Sequence, residues 1–173
     1  MYKFLLRRKI NRLVKHSERE KAYHNLMEIE SVLVLFDMEN FDDADYFIRQ
    51  MEQIGKKIKA FAFKSGKDSG NYSNTSYTIV TEKDMKGEPL AQIVNSLANE
   101  KFDLVVDFTF KENLLLLYML VSVNAPLKVG FYKHALPVHD MVISFAPGLV
   151  PNVKELGKQL IHYLTVISSG TKK

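Results

Sequence analysis

The sequence predicts an α/β fold: a single three-layer open sheet, mostly parallel, of about six strands, Rossmann-like and preceded by a basic N-terminal helix. Three features predict it. Short Val- and Leu-rich runs alternate along the chain with segments of helical periodicity. Two of those runs, 31–37 (SVLVLFD) and 102–108 (FDLVVDF), have unbroken apolar centres, Val32 to Phe36 and Leu104 to Val106, as strands buried on both faces do. Residues 113–123 are almost wholly apolar, as a helix buried against such a sheet would be.

The elements follow in order. Residues 3–27 lack Gly and Pro, and Leu6, Ile10, Leu13 and Val14 fall on one helical face, so a helix is expected there. Residues 31–37 form the first strand. Asp42 or Asp43 can cap the next helix, which carries Ala44, Phe47, Ile48, Met51 and Ile54 at helical spacing and closes at Gly55. Residues 57–63 (KIKAFAF) alternate polar and apolar, giving a half-buried strand nearer an edge. The polar stretch 64–76 is a loop long enough to be functional. A short strand at 77–81 precedes a helix with Pro89 in its first turn. After the strand at 102–108 and the apolar helix, Pro126 breaks the chain. Strands are expected at 127–132 and 141–145, then an amphipathic helix over 151–167. The expected division is a basic helix in 1–28 and the Rossmann-like domain in 29–173.

The chain has 173 residues and no cysteine, which excludes disulfides, thiolate metal sites and a cysteine nucleophile. Its charge is uneven. Residues 1–25 hold eight basic and two acidic residues, and the remainder holds sixteen basic and eighteen acidic ones. A basic arm on a near-neutral body suits polyanion contact, here through Arg7, Arg8, Arg12, Lys15 and Arg19. The only early apolar run is Phe4-Leu5-Leu6, and no stretch reaches the ~20 apolar residues of a spanning helix, so a cytoplasmic protein without a membrane span is expected.

In a sheet of this kind ligands lie beyond the carboxyl ends of the strands. That rule nominates a rim of Asp37, Asn40, Asp42, Asp107, Thr109, Asn113, Lys133 and His134. The loop after the first strand has no Gly and carries four acids, so it does not cradle a pyrophosphate, and no P-loop motif is present. Asp37 and Asp107, at two strand ends, become near neighbours if those strands are adjacent. Such a pair suits acid–base chemistry or a receiver-like phosphoacceptor site, for which Lys133 would be the strand-end lysine. His134 and His139 flank a short loop beside Asp140 and read as loop polarity; no histidine pair shows metal-ligand spacing, and no serine sits in a nucleophile elbow. No catalytic residue, cofactor or metal is assigned.

Two resemblances rest on particular segments. VLVLFDMENFDD at the first strand and KFDLVVDFTFKENLLLLYMLVSVNAPLKVGFYK at 101–133 resemble the N-terminal half of family 9 heptosyltransferases. In that register Asp42 matches the family's acceptor-activating Asp, and Phe41 stands where the family has Gly. The resemblance implies one Rossmann-like half of a GT-B glycosyltransferase, the other half being the one that holds the sugar-nucleotide. Most of the chain is similar to an uncharacterised Bacteroidetes family of unknown function. That likeness lies in the basic N-terminus, Asp84-Met85-Lys86-Gly87-Glu88-Pro89, the pattern "fDlli…eN…l…a…kvG" and His139-Asp140-Met141-Val142-Ile143.

The leading functional expectation is a non-catalytic binding or adaptor protein. Its basic N-terminal helix would contact a partner or polyanion, such as RNA or a ribonucleoprotein through residues 1–25. The alternative is a sugar-nucleotide or other small-molecule binding protein. A third expectation is a homo-oligomer joined through an exposed apolar rim of Met38, Phe41, Phe108 and Phe110.

Overall fold

The computed structural model describes residues 2–66, 77–132, 134–146, 148–150 and 152–167. Six strands form one parallel sheet: β1 (Ser31–Asp37), β2 (Lys57–Lys64), β3 (Thr78–Thr81), β4 (Leu104–Phe108), β5 (Leu127–Gly130) and β6 (Met141–Val142), in the order β3-β2-β1-β4-β5-β6. The strand order reverses between β1 and β4, which pair directly with Leu35 opposite Asp107. Five helices cover the sheet: α1 (Tyr2–Lys15), α2 (Phe41–Gln53), α3 (Gly87–Asn99), α4 (Leu114–Ser122) and α5 (Val153–Val166).

Alternate β1 residues feed two cores. Val32, Val34 and Phe36 pack with α2 (Phe47, Met51) and α5 (Leu156, Leu160), whereas Leu33 and Leu35 pack with α1, α3 and α4. Both faces are therefore dry, and six of the seven β1 residues are buried, as the apolar run requires. Helix α4 has its apolar residues on all sides because it is wedged between β1, α1 and α3.

Local signals set the boundaries. Asp103 Oδ2 accepts hydrogen bonds from the Glu30 and Ser31 amides at 2.8 and 2.9 Å, tying the starts of β4 and β1 together. Before α3, Asp84 Oδ2 accepts from the Thr81 amide at 2.7 Å, and Gly87 takes φ +71°, a conformation that suits glycine. Pro89 then lies in the first turn of α3, so the segment 84–89 is a structural turn.

Three expectations are corrected. The N-terminal helix stops at Lys15. Beyond it the Ala22 amide donates to Pro126 O, just before β5, and the Leu26 amide to Leu164 O of α5, and these tertiary bonds override helical propensity. Helix α2 is entered through Asn40 without a side-chain cap, and Asp42 and Asp43 instead sit in its first turn, where they favour the positive end of the helix dipole. Met38 and Phe108 are buried, and Phe41 and Phe110 pack partly buried against the first core, so the four do not form an exposed rim. Of the loop at 64–76, residues 67–76 lie outside the described residues.

Helix α1 is docked rather than free. Leu6 and Ile10 are each 1% exposed and join the core under α4. Burying two such side chains contributes about 1.5–3 kcal/mol each. Among the described residues no helix is long and apolar enough to cross a membrane.

Candidate functional site

A cleft of about 740 Å³ lies beyond the carboxyl ends of β1 and β2 and is also lined by residues 111–114, which follow β4, the neighbour of β1 at which the strand order reverses. Asp37, the last residue of β1, lines it and is 5% exposed. Asn113 serves two neighbours there. Its Oδ1 accepts from the Leu115 and Leu116 amides at 3.1 and 3.2 Å and so caps α4, while its Nδ2 donates to Asp37 Oδ1 at 3.3 Å. Burial raises the Asp37 pKa; the Asn113 bond and Lys111 oppose that rise, and Glu39 and Asp107 reinforce it. Two exposed ion pairs border the cleft. Arg7 of α1 pairs with Glu112, and Lys111 Nζ meets Glu39 Oε1 at 2.8 Å.

A second cluster lies along the same carboxyl-end rim, over β4 and β5. Asp107 is the next-to-last residue of β4. Its Oδ1 accepts from the Thr109 amide at 3.1 Å and from Thr109 Oγ1 at 2.8 Å. Its Oδ2 lies 3.0 Å from His139 Nε2, which donates in the tautomer protonated there. His134 Nε2 is 3.9 Å from the same oxygen, beyond hydrogen-bond reach, and is buried without a hydrogen-bond partner among the described residues. The three side chains are between 2% and 4% exposed. The His139 ring lies directly over Gly130: a Cβ at that position would stand 2.3 Å from His139 Cε1. Burial lowers the His134 pKa; the Asp107 charge opposes this, His139 adds to it, and Glu112, which also lines the cleft, opposes it.

The rim residues expected from sequence thus divide. Asp37 and Asn113 meet at the cleft, and Asp107, Thr109 and His134 meet beside it. Asp37 and Asp107 sit on adjacent strands and share a face, two residues out of register, close enough that the Asp107 charge acts on Asp37. Asn40 and Asp42 belong to the entry of α2 and line neither. Lys133 lies outside the described residues.

His139 is the residue that sequence reasoning left out. Its partners are remote in sequence, and only the β4–β5 pairing brings the loop after β5 over Asp107. The signal that could have found it is the pair of histidines following a strand that neighbours one ending in an acid.

The basic residues also divide. Arg8, Arg12 and Lys15 are exposed on α1. Arg7 is engaged at the cleft. Arg19 is turned inward: Nη2 meets Asp140 Oδ1 at 2.5 Å, and Nη1 donates to Ala125 O at 3.0 Å.

No curated protein matches this chain. A model of DUF6913, a family of unknown function, matches residues 3–167, nearly the whole of the sequence, and the chain belongs to that family.

Proposed function

We propose that the protein binds a small polar molecule in the cleft at the carboxyl end of β1. The observation that carries this reading is the buried carboxyl group of Asp37, held by Asn113 in a 740 Å³ cleft at the point where ligands of open α/β sheets collect. Asp37 is suited to accept from ligand hydroxyl or amino groups. Lys3, Arg7 and Lys111 surround it with cations suited to an anionic group. The Arg7–Glu112 and Lys111–Glu39 pairs are exposed, and such pairs contribute only about 0–1 kcal/mol, so a ligand anion exchanges with the glutamates at little cost. The fitting class is a hydroxylated anion such as a sugar phosphate or nucleotide sugar.

Thermal unfolding of the full chain against a panel of sugar phosphates and nucleotide sugars tests this. A ligand at 100 times its Kd stabilises by about 2.7 kcal/mol, a rise on the order of 5–10 °C for a domain of this size. The rise should vanish in Asp37→Asn and shrink in Arg7→Gln. A flat response across the panel overturns the reading.

A second reading has its own observation. Arg8, Lys9, Arg12 and Lys15 are exposed and make no ion pair among the described residues, leaving a basic face of α1 for a polyanion such as RNA. Binding to homopolymer RNA that falls steeply with salt, and falls again in Arg8→Glu/Arg12→Glu with Asp37 untouched, supports it. Salt-insensitive or absent binding sinks it.

A further inference from the structure

We propose that Asp107, His134 and His139 form a mononuclear site for a divalent transition metal, with Zn²⁺ the best-fitting ion. The inference stands apart from the cleft ligand, because none of the three residues lines the cleft.

The geometry carries it. One ligand atom from each residue lies within 4.8 Å of the other two. Tetrahedral Zn²⁺ with bonds of 2.0–2.1 Å holds its ligand atoms about 3.3 Å apart. The carboxylate-to-histidine distances of 3.0 and 3.9 Å bracket that value, and the two imidazole nitrogens lie within 4.8 Å of each other, so an inward shift of His134 on the order of 1–1.5 Å closes the site. His134 Nε2 is the independent sign of a ligand. It is a buried nitrogen, on a side chain 4% exposed, facing an acid it does not reach. A metal bound there takes up its lone pair.

The surroundings suit the same ion. Both Thr109 bonds fall on Asp107 Oδ1, which orients the carboxylate and leaves Oδ2 toward the histidines. Gly130 leaves the space in which the His139 ring lies. Two imidazoles and one carboxylate select a borderline ion such as Zn²⁺ over Mg²⁺ or Ca²⁺, which take oxygen shells. Three protein ligands leave a fourth position for water or a ligand oxygen, the pattern of catalytic rather than structural zinc.

The test uses the full chain, stripped with chelator and titrated with Zn²⁺ by calorimetry and with Co²⁺ by visible absorption. The expected result is one equivalent bound with a Kd at or below about 1 µM, a d–d band of tetrahedral or five-coordinate intensity, and proton release on binding. His134→Gln and His139→Gln should each weaken Zn²⁺ by more than the roughly 10–100-fold that Thr109→Val costs as an outer partner. His134 Nε2 makes no hydrogen bond among the described residues, and metal-free unfolding midpoints of His134→Gln and the parent chain, measured side by side, separate lost ligation from lost folding. No saturable binding at micromolar metal overturns the proposal. So does one-equivalent binding that survives both histidine substitutions.

Discussion

Arg19 and Asp140 form a buried ion pair, with side chains 8% and 4% exposed and Nη2 2.5 Å from Oδ1. The pair pins the segment after α1 to the loop before β6. Asp140 is further satisfied by the Lys128 amide, which donates to Oδ2 at 2.9 Å, and by Lys21 at 3.2 Å. Burial raises the Asp140 pKa, but the Arg19 bond and the Lys128 amide outweigh it, so the acid sits below its usual range.

Removing Arg19 leaves the buried Asp140 only the exposed Lys21 and the Lys128 amide, and removing Asp140 strands the Arg19 guanidinium in the interior. Arg19→Met should cost about 3–5 kcal/mol. Asp140→Asn keeps an acceptor for the Lys128 amide and should cost less than Asp140→Leu, which orphans that amide as well, by about 1–3 kcal/mol. Urea unfolding of the three variants checks the order. Equal stability of Arg19→Met and the parent chain would contradict the buried pair.

Lys128 makes stability depend on pH in the alkaline range. Its side chain is inside, and Nζ donates at 2.6 Å to Leu120 O, in the last turn of α4, where carbonyls lack helical partners. Burial, with Arg19 adding to it, lowers the Lys128 pKa from 10.5 to about 7. Between those values the unfolded chain binds the proton and the folded chain does not. Stability therefore rises with pH across that window, by up to about 1.4 kcal/mol per unit. Lys128→Met should flatten the rise between pH 7 and 9. His134, whose pKa is lowered below 6.5, changes stability only on the acid side of this window. An unchanged slope in the methionine variant would assign the pH dependence elsewhere.

How far the sequence could be read depended on the range of the interaction. The two apolar runs with an acid last or next to last read as buried strands, and 31–37 matches β1 residue for residue. The helix after Asn113 was legible because the leucines leave no polar face. Lys128 was not legible: it looks like an exposed strand lysine until α4 covers it. Arg19 counted as one more exposed base because the sequence does not say that Asp140 waits across the sheet. The Asp107 cluster failed for the same reason, its parts being 27 and 32 residues apart in the chain.

Asn113 couples helix capping to the state of Asp37. Asn113→Ala removes the acceptor for the Leu115 and Leu116 amides, at a cost of about 0.5–2 kcal/mol. Asn113→Ser restores an acceptor and should recover most of that loss. Neither variant keeps the Nδ2 donor, so both should move the Asp37 titration further up. Carboxyl-resolved NMR titration separates the two effects. An Asp37 titration that is the same in all three chains would show that the 3.3 Å bond has no weight.

Gly130 and His139 should behave as one unit. The glycine is the last residue of β5 and is not among those with positive φ, so its smallness matters for space rather than for backbone freedom. In Gly130→Ala the new methyl would fall 2.3–2.5 Å from three His139 ring atoms. The ring is 2% exposed and already in contact with Asp107, so it has little room to withdraw. Overpacking of this kind costs about 1–3 kcal/mol, and moving the ring breaks its contact with Asp107. Gly130→Ala should therefore weaken Zn²⁺ binding as much as His139→Gln does. In the double variant Gly130→Ala/His139→Ala the methyl enters the space the ring has left. Its stability should exceed the additive expectation by about 0.5–3 kcal/mol, measured as a double-mutant cycle. Strict additivity would mean that the ring and the glycine do not compete for the same volume, and the positioning of His139 over Asp107 would need another cause.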